Sequence, residues 1–228
     1  MNNIININSC NFKYPNATHN IINIESLTIN RGEHIFLKGK SGSGKSTFLN
    51  LLSGVLEAQH GDIEILGVNV KSLSNSQKDK FRADNYGIIF QDLNLLPYLS
   101  VRENISLACG FSKVKANNIQ NITKEINVLL DALEFPHAKK DVKAMQLSVG
   151  EQQRVAVARA LLGKPKIIIA DEPTSALDSD AKDKFMRLLF AQVKAQGSTL
   201  IFVSHDNELA NYFEHVYDFS EINKVEEK

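Results

Sequence analysis

The apolar positions change period along the chain. From residue 2 to about 70 they alternate with polar ones in short runs, "IININ", "LTIN", "HIFLKG" and "IEIL", broken by "YPNA", "NRGE" and "QHGD". Alternation at period two predicts strands with one buried face, and the Pro, Asn and Gly clusters predict the turns between them. One helix is expected inside this strand-rich third. After "GKSGSGKST" the residues Phe48, Leu49, Leu52 and Val55 or Leu56 keep one apolar face until Gly54 and the polar "EAQHG" end the pattern. From about Asp92 to Gly163 the pattern turns helical and polar; in "NNIQNITKEINVLLDALEF", Ile122, Ile126, Leu129, Leu130 and Leu133 fall at helical spacing. Two β-branched runs follow, "KIIIA" before Asp171 and "STLIFV" before Ser204. The helix expected between them, from about Ser179 to Gln196, turns Phe185, Leu188, Leu189 and Val193 inward. This alternation predicts parallel strands joined by crossover helices.

Composition narrows the function. A chain of 228 residues with 43% hydrophobic content can bury a sizeable core and is expected to fold as one domain. Lys plus Arg and Asp plus Glu both total 26, and no long basic run is present, which argues against nucleic acid as a partner. Unbroken apolar runs such as "IIIA" fall far short of the roughly 20 residues that a membrane span needs, so no span is expected. The start "MNNIININSC" has neither a basic segment nor a continuous apolar core, and is read as neither a signal peptide nor a leader ending at Cys10. The chain is therefore expected in the cytosol. Cys10 and Cys109 lack metal-ligand spacing and are read as free, packing thiols. There is no internal repeat, low-complexity linker or coiled-coil heptad.

The candidate chemistry begins at Gly39. Gly39, Gly44, Lys45 and Ser46 satisfy G-x-x-x-x-G-K-[ST] between an expected strand and an expected helix, which is the context a phosphate loop requires. In such a loop, Gly39 to Thr47 with Lys40, Ser41, Gly42 and Ser43 inside it, backbone N–H groups wrap the β-phosphate. Lys45 brings a compact charge to the β and γ oxygens, and Ser46 offers its hydroxyl to Mg²⁺. A mere glycine-rich turn with one exposed lysine would need four residue types and both flanks to agree by accident. "IIIADEP" places Asp171 at the end of a buried strand, where a carboxylate can hold the magnesium shell. Glu172 follows, placed to orient or deprotonate an attacking water. Two carboxylates at a surface turn before Pro173 are the alternative, which loses weight once the phosphate loop is present.

A second anion site is written in "LSVGEQQR", Leu147 to Arg154. A helix starting at Ser148 offers unpaired N–H groups and a positive dipole end. Ser148 and Glu151 also spell S-x-x-E, an ordinary capping box, with Val155, Ala158 and Leu162 as the apolar stripe behind it. The two readings can coexist.

Together these motifs, in this order, resemble the nucleotide-binding subunit of an ATP-binding-cassette (ABC) transporter over nearly the whole chain. The resemblance implies an α/β P-loop NTPase cassette, a mixed sheet with an N-terminal antiparallel β-subdomain and a helical subdomain insertion. It implies a single domain over 1–228, with core at about 1–91 and 164–228 and the helical subdomain at about 92–163. It also implies ATP hydrolysis with Mg²⁺, with Ser46, Gln91 and Asp171 around the metal. Tyr14 in "FKYP" stands where the family stacks an aromatic ring on adenine, although Phe12 is close and a lone aromatic is as often core. Gln91 in "IIFQD" matches the glutamine that links magnesium and water to the helical subdomain, or is a polar residue ending a strand. His205 in "FVSHD" matches the switch histidine at the γ-phosphate, or is a surface histidine at a strand end. Asp178 in "SALD" matches the loop that crosses to the partner, and also suits an N-cap.

In this family the "LSVGEQQR" stretch binds the γ-phosphate of a nucleotide held by another subunit, so two chains meet head to tail around two ATP. The commonest form is LSGGQ. Glu151 in place of Gln occurs in one subgroup and is read as turned away to cap the helix. Val149 in place of Gly disfavours positive φ, which leaves Ser148 and Gly150 as the expected phosphate contacts.

"GIIFQDLNLLPYLSVRENISLAC" and "LEFPHAKKDVKAMQLSVGEQQRVAVARALLGKPKIIIADEPTSALD" are similar to the subgroup of macrolide-exporter, lipoprotein-release (LolD-like) and cell-division (FtsE-like) ATPases. The lack of an extension after about Lys224 fits that subgroup. The resemblance implies membrane permease partners whose cytosolic helices are gripped at Leu95, Leu96, Pro97, Tyr98 and Leu99, residues that suit a subdomain core equally well. A second copy, forming a homodimer, and a peripheral place on the inner face of the cell membrane are implied too. Two roles stand open: export or extraction of a lipoprotein, peptide or amphiphilic drug, and FtsE-like control of a cell-wall enzyme through a non-transporting membrane protein. A soluble cassette of DNA repair or translation is the weaker third, for want of a second cassette, zinc site, coiled coil or basic patch.

Overall fold

A computed structural model gives the fold and describes residues 2–225. Residues 1 and 226–228, the outermost ends of the domain expected over 1–228, lie outside the described residues. In chain order the elements are β1 (Asn3–Phe12), β2 (Ile22–Asn30), β3 (His34–Lys38), α1 (Lys45–Leu52), β4 (His60–Ile65), β5 (Val68–Asn69), α2 (Asn75–Asn85), β6 (Tyr86–Ile89) and α3 (Val101–Gly110). Then come α4 (Lys113–Asn117), α5 (Ile122–Ala132), α6 (Val149–Leu161), β7 (Ile167–Asp171), α7 (Ser179–Gln196), β8 (Thr199–Ser204), β9 (His215–Asp218) and α8 (Phe219–Ile222). They divide between two compact units, Met1–Arg82 with Ile201–Lys228, and Ala83–Leu200.

The first unit holds the period-two strands. They form an antiparallel sheet of order β2-β1-β4-β5, with Ile7 of β1 opposite Leu27 on one side and Ile63 on the other. Ile5, Ile7, Ile22, Ile24, Ile29 and Ile65 are fully buried, each stabilising the sheet by about 1.5–3 kcal/mol relative to exposure. The register shifts between Asn8 and Asn11. There Gly61, at φ 78°, comes so close that a Cβ would stand 2.3 Å from the Ser9 carbonyl oxygen. In the same unit β3 lies between β8 and β9, and pairs with β9 in parallel. Phe36 and Phe202 stack at 6.1 Å, with Phe213 packed on both. Helix α1 rests Phe48 on Phe219, 5.5 Å between ring centres, and so seats the loop that precedes it.

The second unit pairs β6 with β7 in parallel, from Tyr86 opposite Ile167 to Ile89 opposite Ala170. Helix α6 lies directly on β6, where a Cβ on Gly87 would stand 2.1 Å from the Ala160 carbonyl oxygen. Helices α3, α5 and α6 pack together around Ile105, Ile126, Leu130, Val155, Ala158 and Leu162. Helix α7 occupies the expected Ser179–Gln196, capped by Asp178 and ended by Gly197 in the left-handed conformation.

Some expectations need correcting. Val55 does not continue the face of α1: the helix stops at Leu52, Gly54 turns the chain at φ 70°, and Val55 is 58% exposed. Ile122, placed in the apolar stripe of α5, is exposed at its first turn, and Leu188 of α7 is only half-buried. The helical pattern begins with an irregular stretch, α3 starting at Val101, while α2 had no counterpart in the sequence reading. Cys10 and Cys109 are free; burial pushes the Cys10 thiol up to about 11 and raises that of Cys109 as well. Among the described residues no helix is long and apolar enough to cross a membrane.

Candidate functional site

The phosphate loop lies in the first unit between β3 and α1. Gly42 and Gly44 take φ 78° and 99°, where L side chains are strained, and a Cβ on Gly44 would stand 3.1 Å from the Ile21 carbonyl oxygen. No side chain caps α1 and no acidic residue sits in its first turn, so its positive end is left to whatever binds there. Lys45 is only 6% exposed, and its Nζ donates to the carbonyls of Gly39 at 2.7 Å and Lys40 at 2.8 Å. The Ser43 Oγ is buried without a hydrogen-bond partner. A buried hydroxyl left unsatisfied is costly, and an oxyanion held in the loop is a group that would satisfy it. Lys40, Ser41 and Ser46 are exposed on this loop and helix start, whereas Thr47 is buried.

Tyr14 stands by this loop, its hydroxyl 3.2 Å from Thr47 Oγ1. Its ring meets Phe12 edge to face at 5.0 Å and keeps 42% of the residue exposed. His205 follows the last residue of β8, the strand that neighbours β3, and is exposed. Asp206 then caps a short 3₁₀ turn by accepting from the Glu208 N–H at 3.1 Å.

The second unit carries the carboxylates. Asp171 ends β7, and Glu172 takes φ 45°, a left-handed conformation that non-glycine residues adopt at a cost. The turn that follows is tied to α6, because buried Gln153 donates from Nε2 to the Pro173 carbonyl at 2.9 Å. Gln91 lies in an exposed turn just past β6. Beyond it Leu93 and Asn94 take φ 58° and 47°. The Arg159 guanidinium of α6 donates to both of their carbonyls at 2.6 Å. Burial lowers the Arg159 pKa from its usual value.

Residues 95–99 are pinned from α3. Buried Asn104 accepts from the Leu96 N–H at 2.8 Å and donates to the carbonyls of Leu96 and Leu99. Leu95, Leu96 and Leu99 are half-buried, Pro97 is exposed and Tyr98 is 63% exposed. None of the five is a fully buried core residue.

At the start of α6 the capping box is complete. The Ser148 side chain accepts from the Glu151 N–H and Glu151 Oε2 accepts from the Ser148 N–H at 2.9 Å. The other carboxylate oxygen of Glu151 accepts from Lys139 Nζ at 2.7 Å. Burial pushes the Glu151 carboxyl up, but the hydrogen bonds from Lys139 and the Ser148 N–H outweigh it and hold the group below its usual range. Val149 opens the helix, stays out of the left-handed region and is 50% exposed. A Cβ on Gly150 would meet nothing within 4 Å, so the glycine leaves open room rather than answering a backbone demand. Asp178 accepts from the Ala181 N–H at 2.9 Å as the N-cap of α7.

Tyr14, Gly39–Thr47 and His205 thus belong to the first unit, and Gln91, Ser148–Glu151, Asp171, Glu172 and Asp178 to the second. Gln153, Arg159 and Asn104 escaped sequence reading. Gln153 and Asn104 had a signal, a polar residue on the inward face of an amphipathic helix. Among the described residues no three His, Cys, Asp or Glu side chains gather as a metal site.

Residues 22–175 match the protein family described as ABC transporter. The chain is 36% identical over 190 residues to "ABC transporter ATP-binding protein YtrE" of Bacillus subtilis, covering 82% of this chain and 79% of that protein. It is 38% identical over 191 residues to "Uncharacterized ABC transporter ATP-binding protein MJ0796" of Methanocaldococcus jannaschii, covering 84% and 81%. Among solved structures, a dimeric MJ0796 cassette superposes with a TM-score of 0.80 at 32% identity over 93% of this chain and 92% of that one. A second MJ0796 structure, a dimeric post-hydrolysis state bound to ADP and Pi, gives 0.82 at 31% identity over 98% of both.

Proposed function

The chain belongs to the ABC transporter family, and from that premise we propose that it is the ATP-binding and ATP-hydrolysing subunit of a membrane complex, acting as a homodimer closed around two ATP. The observation that carries the reading is the phosphate loop: two left-handed glycines, an uncapped helix start, Lys45 folded over the loop and an orphaned buried Ser43 hydroxyl. These are the donors a triphosphate asks for.

In this proposal Gly39 to Thr47 hold the phosphates, and Lys45 shifts its ammonium from the loop carbonyls to the β and γ oxygens. Ser46, Gln91 and Asp171 are oxygen donors suited to Mg²⁺, a hard cation that is usually held by few protein ligands besides phosphates and water. Bound there, Mg²⁺ supplies charge that neutralises the phosphate oxygens. Glu172 positions the attacking water and takes its proton, and His205 contacts the γ-phosphate. Tyr14 lays its ring on the base. Ser148 and Gly150 of one copy meet the γ-phosphate bound by the other, with Asp178 crossing beside them. Glu151, committed to Ser148 and Lys139, serves this contact by fixing the helix start. The residues 1–228 act as one catalytic domain in which about 92–163 is the helical subdomain.

The membrane partner is a permease whose cytosolic helix seats against Leu95 to Leu99, the half-exposed stretch held by Asn104. The protein is thereby peripheral to the inner face of the membrane. Export or extraction of a lipoprotein, peptide or amphiphilic drug is the first reading, in keeping with the word transporter in the names of YtrE and MJ0796. FtsE-like control of a cell-wall enzyme is the runner-up.

Two experiments test this. Lys45→Ala is expected to abolish ATP binding and phosphate release in the purified protein; undiminished hydrolysis would overturn the ATPase assignment. Identification of the membrane subunit that co-purifies with the chain separates the two roles. A subunit with no substrate pathway, bound to a cell-wall enzyme, would sink the export reading.

A further inference from the structure

Tyr14 lies beyond the end of β1, where the strand ladder has stopped, yet its surroundings hold it on three sides. Gln59, in the loop before β4, takes the place of a missing strand partner. Its Oε1 accepts from the Lys13 N–H at 3.0 Å and its Nε2 donates to the Lys13 carbonyl at 3.0 Å, so one side-chain amide satisfies both backbone groups of the residue before Tyr14. The backbone of Gln59 is fixed in turn, its N–H donating to the Asn11 carbonyl at 3.0 Å. The Tyr14 ring packs against Phe12, and its hydroxyl lies 3.2 Å from Thr47 Oγ1 in the first turn of α1. The Tyr14 carbonyl accepts from the Ala17 N–H at 2.9 Å, which closes the turn behind it.

We propose that Gln59 is a positioning residue for the nucleotide base: its amide clamps the Lys13 backbone and so holds the Tyr14 ring ready, in register with the phosphate loop through Thr47. This rests on the reading of Tyr14 as the base platform and extends it to a residue 45 positions away in sequence. A free strap would have to be ordered when nucleotide binds; a clamped one is ordered beforehand, and the saving appears as affinity. The Gln59 side-chain amide is committed to the Lys13 backbone, so the clamp acts on binding of the base and leaves the chemical step alone.

The test compares ATP with inorganic tripolyphosphate, which has the phosphates and no base. In the full chain, Gln59→Ala is expected to raise the Kd and KM for ATP about three- to tenfold, with kcat and the Kd for tripolyphosphate unchanged. Gln59→Glu keeps the acceptor for the Lys13 N–H and loses the donor to its carbonyl, and is expected to fall between. Tyr14→Ala is expected to weaken ATP at least as much, and Gln59→Ala added to it to do nothing more. If Gln59→Ala leaves ATP affinity intact while Tyr14→Ala weakens it, the clamp is wrong and the platform survives. If Tyr14→Ala leaves ATP affinity intact, both fall. A Gln59→Ala effect that extends equally to tripolyphosphate marks a general loss of structure and also overturns the proposal.

Discussion

Glu172 sits at φ 45°, directly after the carboxylate that ends β7. Glu172→Gln preserves shape and removes the carboxylate proposed as the base. It is therefore expected to leave nucleotide affinity intact and to lower single-turnover phosphate release by about 10²- to 10⁴-fold. Glu151 makes the opposite kind of prediction, about stability rather than turnover. Its folded pKa lies below the ordinary 4.5, so its contribution is fully present above that value and is lost as pH falls through the folded pKa. Urea melts between neutral and acid pH should show that loss in the native chain and a smaller one in Glu151→Gln, which cannot ion-pair with Lys139. An identical acid slope in the two would remove the Lys139 and Ser148 contacts from the account.

Among the elements, α6 is the one most constrained from outside. Its C-terminal half lies on Gly87 and its Arg159 holds the carbonyls of Leu93 and Asn94. Gly87→Ala is expected to cost about 1–3 kcal/mol by forcing β6 and α6 apart, read as a lower urea midpoint. Arg159→Lys cannot fork to two carbonyls and should cost a similar amount, about 1–3 kcal/mol. What made an element legible was contrast. Helix α7 announces itself by Asp178 and an apolar stripe, and its observed bounds agree with the span expected from about Ser179 to Gln196. Helix α2, "NSQKDKFRADN", buries only Lys78; a helix polar on every side has no stripe to detect. The first strands were legible because their buried face is mostly isoleucine. Val55 misled because it continues the spacing of α1 after Gly54 has ended the helix. The phosphate loop could be read locally, since its chemistry lies within nine adjacent positions. The contacts of Gln59 and Arg159 could not, since their partners lie 46 and 65 residues away and leave no periodic trace.

At the scale of the molecule, the proposed catalytic site is shared between two copies. In the proposed dimer the open room at Gly150 leaves space for a phosphate carried by another chain, and the capping box at Ser148 fixes the helix start beside it. Ser148→Arg would fill that room with a long cationic side chain. It should prevent closure and ATP turnover while the single chain still binds nucleotide; loss of binding by the isolated monomer would argue that residues 148–151 serve their own chain. The most direct measurement is sedimentation of purified Glu172→Gln with and without ATP and Mg²⁺. A monomer that becomes a dimer only when ATP is present is the predicted result. A nucleotide-saturated chain that stays monomeric at high concentration would rule out a site shared between copies.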